Sequence, residues 1–158
     1  MIHNTLNLLS VLILGIIYIY TFSKVQNMFF SKVSTPKNQA TIIIYIASIA
    51  AACINLIHIS DAASDAMLFF LNSNNVLKGI LYSSSFFVST WIFSFVFFRL
   101  SFFLVGTLTP ENEIDELIKN NKEIAWLHAI IILALAFLIA PSLSKIATSF
   151  IPYPKMPF

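Results

Sequence analysis

Four long apolar stretches constrain this chain more than any other feature. They cover residues 6–22, 41–59, 77–105 and 124–149. A helix needs about 20 predominantly apolar residues, with a range of about 17–25, to cross the hydrocarbon core of a bilayer. Because the four stretches occupy most of the 158 residues, they leave no room for a soluble domain. We therefore predict a single all-α membrane domain over residues 1–158 with four transmembrane helices.

Composition agrees with a membrane-embedded chain and excludes some partners. Charged residues make up 10% of the sequence, whereas soluble proteins contain about 25%. The apolar stretches are continuous and do not alternate with polar residues, which favours helices over the strands of a membrane β-barrel. The net charge is +2 without a Lys/Arg cluster, so nucleic acid is not an expected partner. The partner that the sequence implies is the lipid bilayer.

The distribution of positive charge predicts the orientation of the chain, because Lys and Arg are retained on the cytoplasmic side. One side of the predicted bundle receives Lys24, Lys32, Lys37, Arg99, Lys119 and Lys122. The other side receives Lys78, Lys145 and Lys155. We therefore expect both termini on the non-cytoplasmic side. Sixteen Phe residues with abundant Ile, Asn and Lys suggest an AT-rich bacterial genome.

Two similar helix starts suggest a repeated helix hairpin. Thr35-Pro36 precedes the second span and Thr109-Pro110 precedes the fourth, each followed two places later by an Asn. A Thr side chain can cap the first N–H groups of a helix, and Pro fits its first position. An internal duplication of a two-helix unit is one interpretation of this correspondence. The acidic segment 110–123 is predicted to be an amphipathic helix that continues into the fourth span.

Two other local patterns carry predictions of their own. Residues 60–70 are expected to form a short interfacial helix with Met67, Phe69 and Phe70 facing lipid. Pro141 lies inside the fourth span and should kink or end its helix. The prolines after this span, Pro152, Pro154 and Pro157, should keep the tail irregular.

Small and polar residues within the second and third spans are candidates for helix packing. They recur at helical spacing and comprise Ser48, Ala52, Asn55, Ser83, Thr90 and Ser94. Small residues let helix backbones approach each other, and hydroxyl groups can bond across the contact. The same side chains could instead line a polar pore. Packing, within one chain or between copies, is the favoured interpretation.

Arg99 and Trp126 are candidate interfacial anchors. Arg99 lies about twenty residues after Lys78, which places it near the opposite headgroups. A long basic side chain at this depth reaches the interface, although an internal ion pair or a substrate contact is the alternative. Trp126 is expected to join an aromatic belt at the membrane surface, beside a packed or interfacial His128.

The sequence offers little support for catalysis or for a cofactor. Cys53 is the single cysteine, so neither an intrachain disulfide nor a cysteine metal site can form. His58 and His128 are predicted at opposite depths, which disfavours paired axial ligation of haem. Asp61 and Asp65 are better explained as a solvated face than as metal ligands. We expect no enzyme activity, no cofactor and no metal.

The connection before the fourth span carries a family resemblance. Residues 108–114 contain a Leu-Thr-Pro turn with acidic residues, and residues 119–125 contain Asn120-Asn121 before the next apolar helix. This pattern, strongest over residues 108–140, resembles the bacterial membrane proteins grouped as domain of unknown function family 350. The resemblance implies an inner-membrane protein with a duplicated two-helix unit and without an established activity. The chain departs from the pattern in its few glycines and in a shorter first cytoplasmic segment.

The functional expectation follows from packing and from the lack of catalytic groups. We expect a noncatalytic integral membrane subunit that assembles with itself or with a larger membrane complex. The alternative is a small oligomeric channel or transporter with a hydroxyl-lined path.

The orientation is testable by labelling single cysteines with a membrane-impermeant maleimide in a Cys53→Ala background. Ser73→Cys should react in intact bacterial cells, because its connection is predicted outside the cytoplasm. Lys119→Cys should react only after the cells are permeabilised. The reverse pattern would show that the chain is inserted the other way round.

Overall fold

The structure, a computed structural model, describes residues 2–33, 38–109 and 112–152. These residues form five helices and no strand: α1 (Ile2–Val33), α2 (Gln39–Asn72), α3 (Val76–Leu108), α4 (Glu113–Ile118) and α5 (Lys122–Ser149). All except α4 are long and apolar enough to cross a membrane. The prediction of an all-α fold with four transmembrane helices is therefore confirmed. Helix α2 contains 34 residues and is therefore about 51 Å long, which exceeds a hydrocarbon core of about 30 Å.

The four long helices run alternately up and down. We name the two ends of the bundle by their connections. At the Asn38 end, α1 and α3 finish while α2 and α5 begin; at the Asn74 end, α2 turns into α3. Among the described residues, α2 packs most extensively on α5, then on α3 and on α1, and α3 also contacts α1 and α5. The pair α2–α3 therefore forms the centre, with α1 and α5 packed against it.

Alanine lets α2 and α5 pack closely. The buried alanines are Ala40, Ala47, Ala51, Ala52, Ala62, Ala63 and Ala66 on α2 and Ala125, Ala129, Ala136, Ala140 and Ala147 on α5. Lipid tails are as apolar as Leu, so membrane helices associate through close packing and hydrogen bonds. Many large apolar side chains point outward; Leu138, for example, is 74% exposed. The contact between α2 and α5 is thus rich in small residues, whereas part of the bulky side chains faces lipid.

Aromatic rings connect α1, α3 and α5 near the Asn38 end. The Phe29 ring centroid lies 5.3 Å from that of Phe98 and 5.7 Å from that of Phe102. Phe102 in turn packs on His128, with ring centroids 4.3 Å apart. These contacts fill the space between helices where the small residues of α2 leave room.

The end of α2 differs from the sequence expectation. Residues 60–70 belong to one unbroken helix that ends at Asn72, so the predicted separate interfacial helix is wrong. Met67 and Phe70 are 2% and 6% exposed, and both lie against Gly79 of α3. The reason is that the α2–α3 turn is short, which brings the beginning of α3 directly onto the last turns of α2.

Pro141 does not end α5, which continues to Ser149. Its ring lies on the exposed face of the helix, away from the packed alanines. Membrane helices tolerate proline when local adjustments satisfy the freed carbonyl group. Pro152 lies beyond α5, whereas Pro154 and Pro157 are outside the described residues.

Gly79 should tolerate substitution less well than Gly15. A Cβ atom there would lie 2.9 Å from Met67 Sδ and 3.3 Å from Phe70 Cβ. The same atom at Gly15 would lie 3.7 Å from Leu56 Cδ2, an ordinary contact. Because both glycines lie within helices, Gly→Ala raises helix propensity at each, and the difference between the variants reports the contact.

We expect Gly79→Ala to lower the free energy of unfolding by about 1–3 kcal/mol relative to Gly15→Ala. Equilibrium unfolding in mixed micelles with increasing sodium dodecyl sulfate measures both values. Equal stabilities would contradict the close approach of α2 and α3 at this position.

Candidate functional site

The six packing or pore-lining candidates lie inside the bundle. Ser48, Ala52, Asn55, Ser83, Thr90 and Ser94 are all buried. They lie on α2 and α3, the central pair. Their side chains therefore lie within the bundle of this chain and not on its outer surface.

Three of the buried polar side chains meet in a central network of Tyr18, Asn55 and Ser94. The Ser94 hydroxyl lies 2.7 Å from the Tyr18 hydroxyl, and it accepts a hydrogen bond of 2.8 Å from Asn55 Nδ2. Each residue lies near the middle of its helix, so the network joins α1, α2 and α3 at mid-depth. In a medium without water, hydrogen bonds of this kind hold helices together.

Sequence reasoning singled out Asn55 and Ser94 but missed Tyr18. The only available signal was spacing, because Tyr18, Phe22, Gln26 and Phe30 recur every four residues and all are buried. Tyr20, two residues from Tyr18, is 66% exposed. In the apolar middle of α1, such a face is hard to distinguish from the lipid-facing side.

Other hydroxyl groups of the predicted stripe bond to backbone carbonyls. Ser83 donates to the Ala63 carbonyl at 2.8 Å, which links α3 to α2. Ser48 donates to the Tyr45 carbonyl of its own helix. Both bonds satisfy the hydroxyl groups inside the bundle, and the Ser83 bond also joins two helices.

Some buried polar atoms have no hydrogen-bond partner within the described residues. They include both amide atoms of Gln26, both ring nitrogens of His128, and Asn55 Oδ1. Gln26 and His128 are completely buried. Burying a polar group without a hydrogen bond costs about 1–3 kcal/mol, so these groups have an unused capacity to bind a polar partner.

A second polar feature, the asparagine cluster, consists of Asn38, Asn120 and Asn121 at the Asn38 end. Asn120 Oδ1 accepts a hydrogen bond of 3.0 Å from the Ala40 N–H. Asn38 Nδ2 donates to the Leu117 carbonyl at 2.5 Å, while Asn38 Oδ1 accepts from the Thr41 N–H. The beginning of α2 is thereby attached to the turn between α4 and α5.

The α4–α5 turn has the geometry of a helix stop followed by a new start. Asn120 adopts a left-handed conformation with φ 65°. The Asn121 N–H donates to the Glu116 carbonyl and the Asn120 N–H to the Leu117 carbonyl, the pattern of a Schellman motif. Asn121 Oδ1 then accepts from the N–H groups of Glu123 and Ile124 as the cap of α5.

Two carboxyl groups near this turn differ in their electrostatic environment. Glu116 accepts hydrogen bonds from Asn121 Nδ2 at 2.9 Å and from Lys119 Nζ at 2.6 Å. These bonds stabilise the carboxylate and lower the pKa of Glu116. The Glu113 side chain lies against Gly106, and its partial burial raises the pKa of that carboxyl group.

The structure divides residues 112–123 between two helices, whereas the sequence predicted one helix over residues 110–123. A continuous amphipathic helix into the fourth span is wrong, because α4 ends at Ile118 and α5 begins at Lys122. Thr109 is the C-cap of α3, and Asn112 caps α4. Asn tolerates the left-handed conformation and also accepts backbone N–H bonds, which explains both the break and the new start.

The predicted Thr35-Pro36 start of the second span lies outside the described residues. Asn38 is the cap of α2, which begins at Gln39. Thr35, Pro36, Pro110 and Glu111 lie outside the described residues.

The two predicted anchors lie on the surface near the Asn38 end. Arg99 is exposed, and its guanidinium carbon lies 5.6 Å from the centroid of the Phe29 ring. Trp126 is 58% exposed in the second turn of α5. Their exposure is compatible with contact to headgroups, and interfacial anchoring stays a prediction for both residues.

The contribution of the asparagine cluster can be measured with two matched variants. Asn120 and Asn74 both have positive φ, 65° and 54°, which glycine adopts readily. Asn120→Gly removes the acceptor of the Ala40 N–H and should lower the free energy of unfolding by about 0.5–1.5 kcal/mol. Asn74→Gly keeps its turn, so its change should stay within a few tenths of a kcal/mol. Unfolding in mixed micelles measures both, and equal losses would argue against the cluster.

The second half of the chain matches a known family. Residues 75–152 match the family model described as Domain of Unknown Function (DUF350), a range that contains α3, α4 and α5. No curated protein and no solved structure is significantly similar to the chain. The first two helices lie before the matched range, so the repeated hairpin stays a prediction. The resemblance carried by the Leu-Thr-Pro turn and Asn120-Asn121 is confirmed over residues 75–152, which match the DUF350 family model.

Proposed function

We propose that this chain is a noncatalytic integral membrane subunit of a bacterial inner membrane. It assembles with copies of itself or with a larger membrane complex. The main support for the proposal is that buried polar groups bond to each other inside the chain. Ser94 bonds to Tyr18 and Asn55, and Ser83 bonds to α2. A body held together in this way is suited to a structural role, with its outer surface free for lipid and protein partners.

The surface of α1 favours assembly. Only 17% of the apolar segment of α1 is buried inside the chain, compared with 39% for α2. Leu8, Ile16 and Tyr20 are among its exposed large side chains. In a membrane complex, a helix with so little contact to its own chain offers the largest area for a neighbouring helix.

The α4 segment supplies a possible contact outside the membrane. Glu113, Asp115 and Glu116 lie in its first turns, and the asparagine cluster fixes the following turn against α2. We place the Asn38 end in the cytoplasm from the distribution of Lys and Arg. There the acidic residues would face a partner with complementary positive charge.

The alternative is an oligomeric channel or transporter. It is favoured by the unpartnered polar atoms of Gln26, Asn55 and His128, since polar groups within a membrane often mark a path for solutes. Such a path would use Ser83, Thr90, Ser94 and Asn55, with Arg99 near its entrance. It would require the central network to open, because Ser94 is occupied by two hydrogen bonds.

Mass measurement of the particle purified from native membranes in mild detergent tests the first proposal. We expect a mass above that of one chain, either from further copies or from copurifying membrane proteins. Dilution should leave the particle intact, because transmembrane contacts of an obligate subunit dissociate slowly. A lone monomer at every detergent concentration would contradict assembly.

Flux measurements in liposomes separate the two functions. The assembly proposal expects no permeation of ions or small polar solutes above that of empty liposomes. Permeation that falls in Ser94→Leu and Arg99→Ala would support the channel instead. Leu138→Ala, a change on the lipid-facing surface, is the matched control that should leave any flux unchanged.

A further inference from the structure

An apolar groove runs between α1 and α3 on the outer surface of the bundle. Its volume is about 350 Å³, and its lining includes Ile17, Tyr18, Thr21, Phe87, Val88 and Trp91. Ile17 and Val88 are 52% and 60% exposed, so the groove opens sideways into the surrounding lipid. The Thr21 hydroxyl bonds to carbonyls of its own helix, which leaves the wall of the groove apolar.

Two cations lie further along the same helix faces that line this groove. Arg99 follows Val88 by eleven residues on α3, which is about three helical turns and returns to nearly the same face. Lys24 follows Ile17 by seven residues on α1, about two turns. Arg99 also lies beside α1, since its guanidinium carbon is 5.6 Å from the Phe29 ring centroid. Both helices therefore carry a positive charge beyond the same end of the groove.

The two cations also lie at the same depth. Lys24 and Arg99 are each about 10 Å along the axis from the middle of their helices, toward the Asn38 end. The boundary of the hydrocarbon core is about 15 Å from the bilayer centre. Long basic side chains span the remaining distance to the phosphate groups, whereas the groove lies closer to the bilayer centre, among the acyl chains.

Among the described residues, no carboxylate lies at this depth. Both Lys24 and Arg99 are exposed, and the salt bridge found within the described residues joins Lys119 and Glu116 instead. At the corresponding depth α2 and α5 contain residues near Ser48 and Ala129, without a carboxylate among their neighbours. A second copy of this chain in the same orientation would therefore bring no acidic group at this depth to neutralise the two cations.

We propose that the α1–α3 groove is a binding site for an anionic phospholipid. Arg99 and Lys24 bind the negatively charged headgroup, and one acyl chain lies along Val88, Trp91 and Ile17. Guanidinium and ammonium groups are suited to phosphate oxygens, and basic pockets between transmembrane helices are known to select anionic lipids. The bound lipid fills the gap beside α1, the long helix with the least contact to its own chain.

Native mass spectrometry of the full chain released from nanodiscs tests the site. The nanodiscs contain equal amounts of phosphatidylglycerol and phosphatidylcholine with identical acyl chains, so only the headgroup differs. We expect the wild type to retain phosphatidylglycerol preferentially. The double variant Lys24→Gln/Arg99→Gln should lower this preference by at least about fivefold, because each cation near the surface contributes substantially to anionic lipid binding.

Matched controls separate the site from general charge and folding effects. Lys78→Gln/Lys145→Gln removes two exposed cations at the Asn74 end and should keep the preference. Val88→Trp fills the groove and should reduce retention of phosphatidylglycerol, whereas Val96→Trp, at an exposed position outside the groove, should not. All variants are first compared by helix content and by gel filtration.

Photocrosslinking with phosphatidylglycerol that carries a diazirine in its acyl chain locates the lipid. Crosslinks on residues 14–21 and 84–91 support the proposal. It is overturned if phosphatidylglycerol and phosphatidylcholine are retained equally by the wild type, or if the Lys24/Arg99 double variant keeps the preference. Crosslinks between two protein copies across the groove, with lipid labelling elsewhere, would also overturn it.

Discussion

The absence of water from hydrocarbon is the constraint on which this structure depends. Burying apolar surface gives no advantage where the surroundings are already apolar, so the helices associate through close packing and internal hydrogen bonds. The alanine-rich faces of α2 and α5 provide the close packing, and the central network of Tyr18, Asn55 and Ser94 provides internal hydrogen bonds. For this reason α2, the helix richest in buried small residues, contacts all three of the other long helices.

The same constraint governs the ends of the helices. The first N–H groups of a helix lack partners within it, and near a membrane surface the chain must supply them. Asn38, Asn112 and Asn121 each cap a helix start, while Asn74 and Asn120 allow the left-handed turns that precede the next helix. Asparagine thus performs at these connections the roles that Thr and Gly have in many soluble proteins.

Much of the fold could be predicted from the sequence, because long apolar stretches and small-residue spacing depend on local composition. Asn55 and Ser94 were found as polar residues among apolar ones. Tyr18 was missed, since an aromatic residue in an apolar helix fits both a lipid-facing and a buried position. The break at Asn120 was also missed: charge order favours a continuous helix there, whereas a single left-handed residue and contacts to α2, about 80 positions earlier, decide the outcome.

The attachment of α2 to the α4–α5 turn has a consequence for biosynthesis. The Ala40 N–H at the start of α2 acquires its Asn120 partner only after the ribosome has made the second half of the chain, and the alanine-rich face of α2 likewise lacks its contact with α5 until then. The newly inserted first hairpin therefore remains incomplete in the bilayer during translation.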